Sequence, residues 1–116
     1  MPDADGESGL VAVRVDRQPE RTVVTLVGEL DMSNAEDVFA QLSSAAAAGD
    51  ELLEVDLSKL GFIDSAGIAT IDRLHRRLAE SGRLRVQAPA DTVAGRTLRL
   101  AGMDQVLPMK PADPAD

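Results

Sequence analysis

The sequence has few of the residue types from which catalytic and metal sites are usually built. Its 116 residues include no cysteine, no tryptophan, no tyrosine, two phenylalanines and one histidine, His75. The absence of cysteine excludes disulfides, thiolate nucleophiles and thiolate metal ligands. A single histidine gives a zinc site or a Ser-His-Asp triad almost nothing to build on. We therefore expect no metal and no catalytic residues.

Long apolar runs and an excess of positive charge are also missing. No apolar run approaches the roughly 20 residues of a membrane-spanning helix, and the N-terminus lacks the basic and apolar regions of a secretory signal. The net charge is −8, and only 2% of the residues are aromatic. Nucleic-acid binding usually needs basic patches and stacking rings. These features predict a cytoplasmic domain with neither a membrane nor a nucleic acid as its partner.

The excess acidity is concentrated at the two ends of the chain. Residues 1–9 and 111–116 are rich in acidic residues, Gly, Pro and Ala, which predicts disordered tails. The predicted domain, residues 10–110, holds all 12 basic residues against 15 acidic ones, a net charge of −3. The overall charge is therefore weak evidence about the partners of the folded part.

Between the tails, the hydrophobic period alternates between that of strands and that of helices. The order β-β-α-β-α-β-α-β predicts an α/β fold in which the first two strands form an antiparallel hairpin and the later strands are parallel. Most strands have one apolar face, so we expect a two-layer sandwich: a mixed, mostly parallel sheet with helices mainly on one face. Strands are predicted over 10–16, 22–27, 51–57, 83–87 and 106–109, and helices over 33–48, 65–81 and 91–101.

Two loops connect a strand to a helix and carry polar residues. They are residues 28–33, GELDMS, and residues 61–67, GFIDSAG. Loops that follow parallel strands share the carboxyl edge of the sheet, where open α/β folds usually bind their ligands. We therefore expect Asp31 and Ser65 to be neighbours in space.

Ser65 stands where the second helix is predicted to begin, and two interpretations fit it. The ordinary one is a helix N-cap whose hydroxyl accepts a hydrogen bond from a free backbone N–H. The functional one is a phosphorylation site, because a phosphate there would meet the free N–H groups and the positive end of the helix dipole. Such a phosphate would change the surface charge without unfolding the domain, which suits a switch in docking.

Other candidate groups have equally ordinary explanations. Asp31 and Asp64 would suit shared acid–base work, but carboxylates near helix starts are favourable without any function. His75 lies at the edge of an apolar helix stripe, which is typical of a structural histidine. The basic residues beside it are predicted to form a solvated face in which Arg76 can form ion pairs with Asp72 and Glu80, each four positions away.

Residues 22–109 resemble a STAS domain of the bacterial anti-sigma factor antagonist family. The resemblance rests on GELD at residues 28–31, FIDSAG at residues 62–67 and LAGMDQVL at residues 100–107. It implies a non-enzymatic partner-switching module that regulates transcription, as in stress responses. Such a module binds an anti-sigma factor, itself a serine kinase, so that a sigma factor is released.

The same resemblance implies that the kinase phosphorylates Ser65 with its own ATP and magnesium, and that a separate phosphatase removes the phosphate. No cofactor of the domain itself is implied. Docking of the kinase is expected at Asp31, Asp64, Ser65, Ala66 and Gly67. Family members often carry a second hydroxyl after the phosphoserine, whereas Ala66 leaves a single modifiable position in this loop.

The sequence is also compatible with an alternative function. The chain would then be a constitutive STAS subunit of a transport complex or another regulatory complex. In that case Ser65 would serve only as a helix cap.

Overall fold

The computed structural model describes residues 6–8 and 10–111, which form an open six-stranded sheet with three α-helices. The strands are β1 (Gly6–Ser8), β2 (Val11–Arg17), β3 (Arg21–Leu30), β4 (Leu52–Asp56), β5 (Leu60–Ile63) and β6 (Leu84–Gln87). The helices are α1 (Ala35–Ala47), α2 (Ser65–Leu78) and α3 (Val93–Leu100), followed by a short 3-10 helix, Met103–Gln105.

The long strand β3 organises the sheet. Its neighbours are β2 on one side, and β4 and then β5 on the other, in the order β1-β2-β3-β4-β6. Residues 21–25 of β3 pair with β4, and residues 28–30 pair with β5. The β1–β2 and β2–β3 pairs are antiparallel, whereas β3–β4, β3–β5 and β4–β6 are parallel. The predicted hairpin and the predicted parallel strands are both confirmed.

One face of the sheet is apolar and packs against the helices. The buried side chains of β2, β3, β4 and β6 form a single core with those of all three helices, among them Val13, Leu26, Val55, Val86, Leu42, Leu74 and Leu98. Each such aliphatic side chain contributes about 1.5–3 kcal/mol on burial. The opposite face is more exposed, as Arg14 and Arg85 illustrate. The predicted two-layer α/β sandwich is confirmed.

Glu54 is an exception on the open face, because it is only 2% exposed. Its two carboxylate oxygens lie 3.5 Å from a guanidinium nitrogen of Arg21 and 3.4 Å from the ammonium of Lys110. A buried carboxylate without a cation would be strongly destabilising. The two cations therefore both cover and neutralise Glu54.

The predicted last strand, residues 106–109, is reduced to a single bridge. Met109 pairs with Val86 in a parallel bridge, and the carbonyl of Pro108 accepts a hydrogen bond from the N–H of Val86. Pro108 has no N–H to donate to a strand ladder, and the 3-10 helix Met103–Gln105 occupies the preceding residues. The prediction of a strand over residues 106–109 is therefore wrong except for the pairing of Met109 with Val86.

Two strands, β1 and β5, are not predicted by the sequence pattern. β5 has only four residues, of which Leu60 and Ile63 are buried, so it has no alternating pattern. Gly6–Ser8 pairs with β2, although the composition of residues 1–9 predicts a disordered tail. Backbone pairing of this kind requires no apolar side chains, which explains the error. The remaining tail residues, 1–5, 9 and 112–116, lie outside the described part.

The N-caps of the three helices also differ from the predicted ones by one residue each. The N-caps are Asn34, Asp64 and Thr92, where the sequence suggested Ser33, Ser65 and Asp91. Thr92 accepts a hydrogen bond from the N–H of Gly95 through its hydroxyl, at 3.1 Å. α2 ends at Leu78, short of the predicted residue 81.

We expect substitution of Gly28 to destabilise the fold. Its φ is +117°, it lies at the register shift between β3 and β5, and an added Cβ would collide with the carbonyl oxygen of Leu10. Gly28→Ala should lower the free energy of unfolding by about 2 kcal/mol or more. Gly82→Ala is the control, since its φ of +64° is strained but its Cβ would meet nothing within 4 Å. Urea denaturation showing equal losses for both variants would contradict the collision argument.

Acid should weaken one contact between β3 and the start of β4. The Thr22 hydroxyl donates a 2.7 Å hydrogen bond to Glu51. This bond, helped by the Glu51 amide, Arg17 and Arg83, lowers the pKa of Glu51 below its ordinary value. A carboxyl with a lowered folded-state pKa stabilises the fold above its unfolded pKa, and that contribution is lost as the pH falls through the folded pKa. In urea denaturation, Glu51→Gln and the unmodified protein should therefore differ in stability at pH 7, and the difference should shrink as the pH is lowered through the acidic range in which folded-state Glu51 becomes protonated. A constant difference would contradict this assignment.

Candidate functional site

The candidate site lies where β3 and β5 end side by side. In their parallel register Glu29 is opposite Phe62, and Leu30 is opposite Ile63. The first loop, residues 31–34, leaves β3 and enters α1. The second loop, residues 64–67, leaves β5 and forms the first turn of α2. The expected meeting of the two loops at one sheet edge is therefore confirmed.

The first loop is held by its own polar side chains. The Asp31 carboxylate accepts hydrogen bonds from the backbone N–H of Ser33 at 2.9 Å and from the Ser33 hydroxyl at 2.5 Å. The side chain of Asn34, which is 2% exposed, accepts from the N–H of Asp31 and donates to the carbonyl of Glu29. Asn34 thus fixes the path of the loop, and Ser33 caps no helix because its hydroxyl is directed to Asp31.

Asp64 joins the two loops. One carboxylate oxygen accepts from the N–H of Gly67 at 3.0 Å and caps α2, and the other accepts from the N–H of Met32 at 3.2 Å. The backbone N–H of Asp64 donates to the carbonyl of Leu30 at the end of β3. This one residue therefore contacts the strand end, the first loop and the helix.

Gly67 allows α2 to start directly against the sheet. A Cβ at this position would lie 2.8 Å from the Ile63 side chain, 2.9 Å from the Leu30 side chain and 3.0 Å from the Leu30 carbonyl oxygen. Only a residue without a side chain fits at this distance. Gly67 is buried, so its part in the site is structural, and its expected role in docking stays a prediction.

Ser65 is the first residue of α2, and it is exposed. Its interpretation as the N-cap is wrong, because Asp64, in an extended conformation, takes that role. Among the described residues the Ser65 hydroxyl has no hydrogen-bond partner, nor do the backbone N–H groups of Ser65 and Ala66. The site therefore presents a free hydroxyl next to two free amides at the positive end of a helix.

The remaining candidates have structural explanations. The carboxylates of Asp31 and Asp64 are both occupied by N–H and O–H donors of the loops. His75 is half-buried, and of the two predicted ion pairs of Arg76 the structure shows the one with Asp72, at 2.9 Å. Within residues 6–8 and 10–111, no three His, Cys, Asp or Glu residues are grouped closely enough to hold a metal ion.

Sequence reasoning overlooked two features of the site. Asn34 was not singled out, although an amide side chain immediately before a helix is a recognisable capping signal. Met32, beside Asp31 in the first loop, is 82% exposed, and Phe62, in β5 two residues before Asp64, is 46% exposed, so an exposed apolar side chain lies near the acidic residue of each loop. No helix in the described part of the chain is long and apolar enough to cross a membrane.

We expect loss of the Asp64 side chain to affect both loops. Asp64→Ala removes the acceptor for Gly67 and Met32 and should lower the free energy of unfolding by about 1–2 kcal/mol. Thr92→Ala removes the equivalent cap of α3 and is the matched control. NMR hydrogen exchange at the Met32 amide should accelerate in the first variant only. Equal acceleration in both would show that Met32 responds to general destabilisation.

The chain is similar to a protein family model and to several solved structures. A family model described as Mlab, STAS domain, matches residues 13–108. No curated protein matches the chain at a significant level.

Several solved structures are similar over most of the chain. An anti-sigma factor antagonist from Mycobacterium paratuberculosis is 24% identical, with a TM-score of 0.76, covering 88% of this chain and 86% of its own. The anti-sigma factor antagonist SpoIIAA, a Bacillus protein, in its unphosphorylated form is 26% identical, with a TM-score of 0.66 and coverages of 89% and 90%. A chain from the Pseudomonas aeruginosa complex of the diguanylate cyclase SiaD with its activator SiaC is 23% identical, with a TM-score of 0.60 and coverages of 90% and 92%.

Proposed function

Because the chain belongs to the STAS domain family, we propose that it is an anti-sigma factor antagonist, a binding protein and not an enzyme. The family predicted from the sequence motifs is thereby confirmed. In the proposed role the domain binds an anti-sigma factor that is also a serine kinase, and the sigma factor is released to RNA polymerase. This role assigns the domain to the cytoplasm, where its partner acts.

The exposed hydroxyl of Ser65 is the observation that supports a switch. Because Asp64 caps α2, Ser65 is free to enter the active site of a kinase without loss of a helix cap. In the proposed step the Ser65 oxygen bonds to the γ-phosphorus of ATP held by the partner, and the bond from that phosphorus to ADP breaks. The hydroxyl proton passes to a base of the partner. A separate phosphatase restores the hydroxyl by hydrolysis, releasing inorganic phosphate.

The added charge is large enough to control binding. A phosphoserine carries about −1.5 to −2 charges at pH 7. At an interface matched to a neutral hydroxyl, such a charge is desolvated or repelled at a cost of several kcal/mol. A decrease in affinity of about 300-fold needs only ~3.5 kcal/mol.

A kinase assay tests the modification site. The protein and its Ser65→Ala variant should be incubated with candidate anti-sigma kinases, ATP and magnesium, and their peptides analysed by mass spectrometry. We expect one phosphate, on the peptide that contains Ser65, and none on the variant. A phosphate on a different residue, or equal labelling of the variant, would contradict the assignment.

Binding should depend on charge at Ser65 and not on its hydroxyl. Ser65→Ala should bind the anti-sigma factor about as tightly as the unmodified protein, whereas Ser65→Glu should bind at least about 30-fold more weakly, corresponding to ~2 kcal/mol. Ser44→Glu adds the same charge at an exposed position in α1 and is the control. Calorimetric titration of all three variants measures this, and equal affinities for both Glu variants would contradict the switch.

The description of the matching family model supports a second candidate function. That description, Mlab, STAS domain, is not restricted to anti-sigma factor antagonists, so the second candidate is a constitutive STAS subunit of a transport complex or another regulatory assembly. In this alternative, Ser65→Glu would leave assembly unchanged, and no anti-sigma kinase would label the protein. The kinase assay therefore distinguishes the two functions.

A further inference from the structure

Asp64 is hydrogen-bonded to both loops of the site, so a change at one loop can affect the other through it. Its carboxylate accepts from Gly67 in the second loop and from Met32 in the first. We propose that Asp64 is a positioning residue that transmits phosphorylation of Ser65 to the first loop by releasing the Met32 amide. This proposal rests on the proposed function, since it assumes a phosphate at Ser65.

The hydrogen bond donated by the Met32 N–H is the longest of those that hold the first loop. Asp31, Ser33 and Asn34 are held by a network of four side-chain hydrogen bonds within and beside the loop. The Met32 N–H reaches only the Asp64 carboxylate, at 3.2 Å, and its side chain is 82% exposed. Met32 can therefore move while the path of the loop and the start of α1 are kept.

A phosphate on Ser65 would act directly on Asp64. The two groups would stand on adjacent residues, and like charges at short range disfavour each other. The helix start offers the phosphate the free N–H groups of Ser65 and Ala66, whereas Asp64 uses that of Gly67, so the phosphate acts on Asp64 through its charge. A carboxylate displaced from this position no longer accepts from Met32.

The consequence is a change of shape added to the change of charge. Met32 presents an apolar side chain at the edge where both loops meet. When its N–H is released, the position of that side chain is no longer fixed. A partner that contacts the first loop would then detect phosphorylation without touching the phosphate.

Amide hydrogen exchange measured by NMR tests the proposal without any kinase. Phosphoserine is installed at position 65 during synthesis of the full chain, and exchange is compared with that of the unmodified protein. We expect exchange at the Met32 amide to accelerate by about tenfold on phosphorylation, the signature of local opening. The Gly95 amide, capped by Thr92 on α3, is the internal control and should not change.

The Asp64→Asn variant, prepared with and without the phosphate, supplies the second comparison. It lacks the charge that the phosphate repels, so we expect no further acceleration at Met32 on phosphorylation. Unchanged exchange at Met32 in the phosphorylated native sequence would overturn the proposal, as would the same acceleration in the variant or a parallel change at Gly95. Should the variant fail to fold, the comparison of Met32 with Gly95 in the native sequence still decides. Because the phosphate is installed without a kinase, a negative kinase assay would overturn the proposed function separately.

Discussion

The hydrogen bonds of one carboxylate, that of Asp64, hold the candidate site together. They are possible only because β5 pairs in parallel with the end of β3, which brings the N–H of Asp64 within 3.2 Å of the Leu30 carbonyl. The missing side chain of Gly67 lets the first turn of α2 approach the same point. From there the carboxylate reaches the amides of Met32 and Gly67. The accessible serine, the start of α2 and the connection between the two loops all depend on this arrangement.

The sequence was sufficient to predict the architecture because strands and helices bury one face each. Val13, Val24 and Val55 alternate with polar or half-exposed neighbours, which predicts a sheet covered on one side. Such patterns fail where an element is short or its pairing is carried by the backbone alone. β5 has four residues, β1 has no apolar alternation, and Pro108 interrupts the ladder predicted at the C-terminal end.

The site could be located from the sequence but not resolved to the atom. Polar residues at the ends of two parallel strands had to meet at one edge, so the positions of both loops were predictable. Whether Asp64 or Ser65 caps α2 was not predictable, because both residues are good caps and only the backbone decides between them. Asp64 has the extended conformation (φ −103°, ψ −173°) that an N-cap needs. That one-residue shift leaves the Ser65 hydroxyl unused by the fold.

The two Asp carboxylates of the site hold loops in place and leave Ser65 exposed, which supports the proposal that this domain is the substrate and binding partner of a kinase. In the proposed switch, a phosphate on Ser65 ends binding to the kinase that adds it. Calorimetric titration of that kinase with the unmodified and the Ser65-phosphorylated protein is the decisive measurement. Phosphorylation should raise the Kd by about 300-fold or more, corresponding to ~3.5 kcal/mol. Equal Kd values for the two forms would contradict it.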